Sequence, residues 1–171
     1  MLRRFSLLSC LLAALVRPEP MVAQSSPFFL RVEGSWTGQG SLAGQAMTTT
    51  AAWILAAGGS QALLLTALIP SGQKKPTFEG LLRIRTGLSQ IGHWHDSQME
   101  DHVVSRATLT PDSMVTHWTN SAGANGRSHY RLVSTDSLEI LDYIQPPGAA
   151  TYRLFGQYGL RRILLLPRPI D

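Results

Sequence analysis

The histidines are the side chains of this 171-residue chain whose spacing most directly suggests chemistry. His93 and His95 are one residue apart, so both would project from the same face of a strand, where two imidazoles can converge on one Zn²⁺. His117 and His129 lie symmetrically about Gly123, and a hairpin centred there would place them directly opposite each other. Four histidines could then line one interior as metal ligands. The alternative, which we adopt, is that they are scattered polar residues on the outer face or in a wet cavity.

A hydrolytic site is the second chemistry to consider, because Asp96 and Ser97 follow His95 directly. Hydrolytic triads need a serine on a rigid, exposed turn beside an oxyanion hole. The chain contains no G-x-S-x-G sequence, and Ser97 is better explained as a turn residue at a strand end. We therefore predict no catalytic residue and a non-catalytic protein.

Large aromatic and cationic side chains could instead form a binding cavity. Four tryptophans are spread along the chain, and they form either a ligand cavity or simple core. Arginines facing the same interior would recognise a carboxylate-bearing ligand, whereas arginines on the outer wall would only be solvated. The lining residues that we predict are Trp53, Trp94, Tyr130 and Arg131.

The elements that must position these residues are β-strands. After residue 27, short runs rich in Val, Ile, Leu, Thr, Tyr and Trp alternate with Gly, Pro, Asn, Asp and Ser clusters every 10 to 14 residues or so. The first strand is predicted from Phe29 to Leu42, and the last two segments are Thr151–Phe155 and Gly159–Leu165. About ten strands joined by short loops favour a closed antiparallel up-and-down barrel, which has no exposed edges.

Gly34-Ser35-Trp36 on the first strand resembles the G-x-W signature of lipocalins and other calycins. The likeness extends in order through Thr50 to Trp53, Phe78-Glu79-Gly80, Gly92 to Ser97 and Leu160-Arg161-Arg162, so it spans residues 25–171 as one calycin-like domain. The resemblance is to calycin barrels of unknown function, and more distantly to nitrobindin and fatty-acid-binding barrels. It implies that Gly34 and Trp36 form a structural signature at the barrel base, covered by Arg161 or Arg162. The sequence leaves open which arginine it is.

One departure from nitrobindin concerns the cofactor. The resemblance would imply ferric haem held by a histidine near the carboxyl end, but this chain has no histidine after His129. No cofactor is therefore predicted. The alternative function is a metal- or haem-dependent barrel that uses His93 and His95.

The amino terminus predicts export. Arg3 and Arg4 precede an apolar run of twelve residues, and small residues near Ala23 permit cleavage, so residues 1–24 are typical of a secretory signal. Twelve residues are too few for a membrane helix, which needs about 20. Residues 25–171 contain 12 basic and 10 acidic residues, and a net charge of +2 argues against nucleic acid as a partner.

The resulting prediction is a secreted or periplasmic barrel that binds a small, mainly apolar molecule. We expect no membrane span in the mature chain. The sequence does not indicate the oligomeric state or the identity of the ligand.

Overall fold

A computed structural model describes residues 26–56, 59–85, 92–97 and 101–163, with the side chain of Asp101 left aside. Residues 1–24, the predicted signal, lie outside these ranges. One helix and ten strands occupy them: α1 (Pro27–Val32), β1 (Gly34–Leu42), β2 (Gln45–Leu55), β3 (Gln61–Pro70), β4 (Phe78–Arg85), β5 (Gly92–Asp96), β6 (Asp101–Leu109), β7 (Ser113–Asn120), β8 (Asn125–Ser134), β9 (Ser137–Gln145) and β10 (Arg153–Arg162).

The strands form one closed barrel in sequence order. Each strand pairs antiparallel with the next, and β1 closes the circle against β10 through pairs that run from Trp36↔Arg162 to Leu42↔Gly156. The prediction of a closed antiparallel barrel of about ten strands is confirmed. Closure satisfies the backbone of every strand from both sides, so no strand edge is exposed.

Where the strands are regular, side chains alternate between the interior and the outer wall. On β2, Met47, Thr49, Ala51 and Trp53 are buried, while the residues between them are more exposed. This period of two follows from the pleat of an extended chain. It decides which member of each adjacent pair reaches the interior.

The start of the barrel differs from the prediction, because residues 27–32 form helix α1 and not the first part of a strand. Pro27 stands in the first turn, where its fixed φ suits a helix and its missing N–H is not needed. Phe28, Phe29 and Val32 are fully buried. The helix therefore plugs the end of the barrel at which β1 begins, called the lower end below.

The last strand also differs from the prediction. The two predicted segments are one strand, β10, whose pairing with β9 shifts between Leu154 and Gly156. Such an irregularity lets a strand bend without ending. Within the described ranges, no helix has the length and hydropathy that a bilayer crossing needs.

Candidate ligand cavity

A partly open cavity of about 300 Å³ occupies the upper half of the barrel, away from α1. Side chains from all ten strands contribute to its wall. Most of the wall is apolar, with Leu68, Phe78 and Phe155 near the upper end. The volume is at the small end of the range for ligand pockets in proteins.

Two tryptophans shape this cavity by lying flat on glycines. A Cβ placed on Gly80 would fall 2.1 Å from the ring of Trp94, and one on Gly126 would fall 1.9 Å from the ring of Trp118. Only glycine allows an indole to approach the backbone this closely. The rings therefore line the wall and leave the centre of the barrel free.

Each of these indoles is part of a parallel aromatic stack. Phe78 stacks on Trp94 with ring centroids 6.0 Å apart, and His102 stacks on Trp118 at 4.6 Å. The indole Nε1 of Trp94 donates to Asp96 Oδ2 at 3.1 Å, and that of Trp118 donates to Ser128 Oγ at 3.1 Å. These hydrogen bonds hold the orientation of both rings.

A polar group lies deeper in the wall, on β8, β9 and β10. Asp142 pairs across the sheet with Ser128, and both side chains line the cavity. Burial raises the pKa of Asp142 to about 6, and a hydrogen bond from Ser128 partly offsets that effect. The carboxylate is thus ionised at neutral pH but held in an unfavourable environment.

Two tyrosines complete this polar group. Tyr130 and Tyr158 are almost fully buried, and their pKa values are raised mainly by burial and further by the charge of Asp142. A Cβ on Gly156 would lie 2.9 Å from the Tyr158 hydroxyl and 3.2 Å from Asp142 Oδ2. The missing side chain at Gly156 therefore lets hydroxyl and carboxylate approach the same point.

Thr49 adds an unpartnered polar atom to the same cavity. Its side chain belongs to the wall and is 1% exposed, and its Oγ1 has no hydrogen-bond partner. Buried hydroxyls are normally paired, because an unpaired one costs free energy.

A second depression, of about 690 Å³, lies across β1 to β5. Its wall includes the outward-facing side chains Leu65, His95 and Ile163. It is an open groove on the barrel wall and encloses nothing. The interior cavity is therefore the stronger candidate site.

The structure separates the four residues predicted to line the cavity. Trp94 and Tyr130 do line it. Trp53 instead packs below it against Phe28, Phe29 and Tyr130, with ring centroids 6.1, 6.1 and 5.5 Å apart. Arg131 faces outward and forms an ion pair with Glu139 at 2.8 Å. Tyr130 and Arg131 are adjacent on one strand, so only one of them could face inward.

The placement of the histidines in a shared interior is wrong. His93 and His95 do share one face of β5, but it is the outer one, where their rings stack with centroids 6.4 Å apart. Trp94 and Asp96 take the inward positions. Within the described residues, no three His, Cys, Asp or Glu side chains gather in a way that could hold a metal ion.

The prediction that His117 and His129 lie directly opposite each other is also wrong. The hairpin of β7 and β8 pairs His117 with Arg127 and Val115 with His129, so the turn is centred on residue 122 and not on Gly123. The observed pairing of the two strands is therefore shifted by two residues from the predicted one. Because an even shift does not change the face of a strand, both rings remain on the same side of the sheet, which is the outer wall. Partial burial lowers the pKa of both histidines, and the nearby charge of Arg127 lowers them further.

The structural signature lies at the lower end. The Trp36 indole is fully buried and donates to Val32 O at 2.8 Å, and the Arg162 guanidinium lies 4.2 Å from its ring centroid. Arg162 also donates to the carbonyls of Arg31, Glu33 and Thr135. Arg161 is exposed, so Arg162 is the arginine that covers the indole. Gly34 has a φ of +118°, and a Cβ there would lie 3.1 Å from Arg162 Nη1.

Sequence reasoning missed Asp142, Ser128 and Tyr158. A signal for Asp142 existed, because Leu138, Ile140 and Ile144 define an inward row of period two that includes residue 142. A carboxylate in an otherwise apolar row predicts a polar group in the interior. The packing of the indoles on Gly80 and Gly126 had no comparable signal in the sequence.

No family model and no curated protein matches the chain. Solved structures do. The Rv2717c protein from M. tuberculosis is 13% identical with a TM-score of 0.63, and the match covers 82% of this chain and 100% of that one. The S-type phycobiliprotein lyase CPES from Guillardia theta is 11% identical with a TM-score of 0.56, covering 84% and 96%.

A third match is the EF1p2_mFAP2b protein bound to DFHBI, which is 10% identical with a TM-score of 0.50 and covers 82% of this chain and 100% of that one. At such identities the likenesses show the fold alone. They agree with the closed β-barrel fold that the strand pairing of this chain shows.

Proposed function

We propose that this protein is a non-catalytic barrel that binds a small, planar and mainly apolar molecule in its upper cavity. The observation that carries the proposal is the pair of parallel aromatic stacks, Phe78 on Trp94 and His102 on Trp118, in the wall of that cavity. These stacks give the wall flat aromatic surface against which a planar ligand can pack. Burial of apolar ligand surface would contribute about 25 cal/mol per Å².

Two structural neighbours support the proposal only by analogy. One neighbour was determined with DFHBI bound, and another is a phycobiliprotein lyase. The first of them is a structurally similar protein that holds a small molecule, whereas the choice of ligand depends on the wall residues of each barrel.

Native mass spectrometry of protein purified from its natural source tests whether a molecule is retained. The neutral probe 1-naphthylmethanol, followed by isothermal titration calorimetry, tests whether the cavity can be loaded. Leu68→Trp fills the cavity and should abolish binding of the probe, while Ile69→Trp on the outward face of the same strand should not. If no molecule is retained and no probe binds to folded protein, the cavity is not a binding site.

We also propose that the protein is secreted or periplasmic, on the strength of residues 1–24 alone. The expected mature chain begins near residue 25. Amino-terminal sequencing of protein from separated cell fractions tests this: an intact Met1 in a cytoplasmic fraction would contradict it.

A further inference from the structure

The cavity wall contains two carboxylates and one imidazole. Asp96 and Asp142 contribute carboxylates, His102 contributes the imidazole, and no Lys or Arg belongs to the wall within the described part of the chain. Arg83, Arg85, Arg106, Arg127 and Arg131 occupy outward positions on their strands. Arg153 pairs with the inward-facing Ile144, but it is exposed at the upper end and is not part of the cavity wall. A carboxylate-bearing ligand would therefore meet no strong cation inside.

Asp142 is the deeper of the two carboxylates. From β8 it is faced by Ser128 and Tyr130, and from β10 by Tyr158 beside Gly156. These neighbours are neutral, and Asp142 has no ion-pair partner in the described residues. An ionised carboxylate in an apolar interior is unfavourable until a cation or strong hydrogen-bond donors compensate it. The side of Asp142 that remains open faces the cavity.

The rest of the wall also suits a positive charge. Aromatic ring faces carry partial negative charge that attracts cations, and the wall contains the rings of Phe78, Trp94 and Trp118. Thr49 Oγ1, buried in the same wall without a partner, can accept a hydrogen bond from a ligand nitrogen.

We infer that the ligand is a planar aromatic cation whose protonated nitrogen faces the Asp142 carboxylate. The inference rests on the proposed binding function and specifies its ligand class. A fatty acid fits this cavity less well, because its carboxylate would meet the like charges of Asp96 and Asp142. Packing against the two aromatic stacks would provide most of the apolar contact, and Asp142 would select the charge.

Three naphthalene probes of nearly equal size test the inference at pH 7.5: 1-naphthylmethylammonium, 1-naphthylmethanol and 1-naphthoate. In the wild-type protein the ammonium probe should bind about tenfold more tightly than the alcohol, and the carboxylate probe should bind more weakly than both. Isothermal titration calorimetry measures all three dissociation constants on the same preparation.

Two isosteric variants locate the effect. Asp142→Asn should reduce the preference for ammonium over alcohol to about threefold or less, because the removed charge acts more strongly on the cation than on the neutral hydroxyl. Glu139→Gln is the matched control, since Glu139 lies on the same strand but pairs with Arg131 outside. It should keep the wild-type preference.

The outcomes separate the two proposals. If the alcohol binds but the ammonium probe has no advantage, or if the advantage survives in Asp142→Asn, the inference is wrong and the binding function stands. If the carboxylate probe binds best, the inference is wrong as well. If none of the three probes binds to folded protein, both proposals fail.

Discussion

The two ends of this barrel use the same side-chain types in opposite ways. At the lower end, Trp36 and Trp53 are buried against α1, and Trp53 meets Phe28 and Tyr130 edge to face at 86°. At the upper end, Trp94 and Trp118 lie flat against glycines, each in a stack with a second ring, and border the cavity. Edge-to-face packing fills the interior at the lower end, whereas rings that lie flat on the wall leave room for a cavity at the upper end.

The residue on which a tryptophan ring packs therefore decides whether the tryptophan fills the core or lines the cavity. Gly80 and Gly126 remove the side chains that would otherwise push the indoles toward the barrel axis. The lower end stabilises the fold, and the upper end retains space together with a carboxylate that has no ion-pair partner among the described residues. Substitutions at the two ends should therefore have different consequences.

The largest expected effect is at the lower end. Trp36→Ala removes a fully buried indole together with its hydrogen bond to Val32 and its contact with Arg162. We expect a loss of about 3–5 kcal/mol in the free energy of unfolding, measured by urea denaturation. Trp94→Ala should cost clearly less, because its ring already borders open space. Equal losses would show that the two ends do not differ.

The second prediction concerns Asp142, whose substitution should raise the free energy of unfolding and not lower it. Its pKa rises from 3.8 in the unfolded chain to about 6, so the native state keeps a proton that the unfolded chain releases, and stability falls as pH rises from about 4 to 6. Asp142→Asn should abolish this fall and raise stability above pH 6 by at most about 3 kcal/mol. Thermal unfolding of variant and wild type at pH 4 and 7.5 measures the difference.

Tyr130 and Tyr158, which face Asp142 from β8 and β10, titrate far above this pH range. Glu139→Gln, on the outer side of the same strand, controls for general charge effects. A variant that is less stable than the wild type at pH 7.5 would contradict the prediction.

The third prediction separates the two adjacent arginines at the lower end. Arg162→Met removes the cation over Trp36 and hydrogen bonds to three carbonyls, so it should cost about 2 kcal/mol. Arg161→Met changes an exposed side chain and should cost less than about 0.5 kcal/mol. Chemical denaturation of the two variants side by side checks this. A larger loss for Arg161→Met would reverse the assignment.

The fourth prediction addresses the glycines below the cavity tryptophans. Gly126→Ala brings a methyl group into the Trp118 ring, which must tilt toward the cavity. We expect a cost of about 1 kcal/mol and weaker binding of 1-naphthylmethanol, because part of the cavity is filled. Gly159→Ala is the control, since its Cβ would meet open space on the outer wall. Unchanged probe binding in Gly126→Ala would show that Trp118 does not border the binding site.

The smallest effect is expected at the outer histidines. His93→Ala and His95→Ala alter exposed, stacked rings and should each change stability by less than about 0.5 kcal/mol. Elemental analysis of dialysed protein should give the same metal content for the double variant and the wild type. A stoichiometric metal that disappears with these histidines would instead support the metal-dependent alternative.

Much of the architecture could be predicted from local patterns, because strand period and turn chemistry act over a few residues. For example, the residue types of Thr110-Pro111-Asp112-Ser113 are typical of a tight turn, and this segment joins β6 to β7. The helix α1 was missed, since six residues are too few to show helical periodicity and its three buried side chains acquire meaning only when they meet the barrel.

The chain's alternating residues and turns thus specify an antiparallel meander, and they specify which residues share a face. They do not specify which face is inside for short strands such as β5, where His93 and Trp94 were both plausible interior residues. Closure of the ring resolved this, because only one face of each strand can be packed at interior density. The same closure selected Arg162 over Arg161 and brought Asp142, Tyr158 and the two indoles together from strands far apart in sequence.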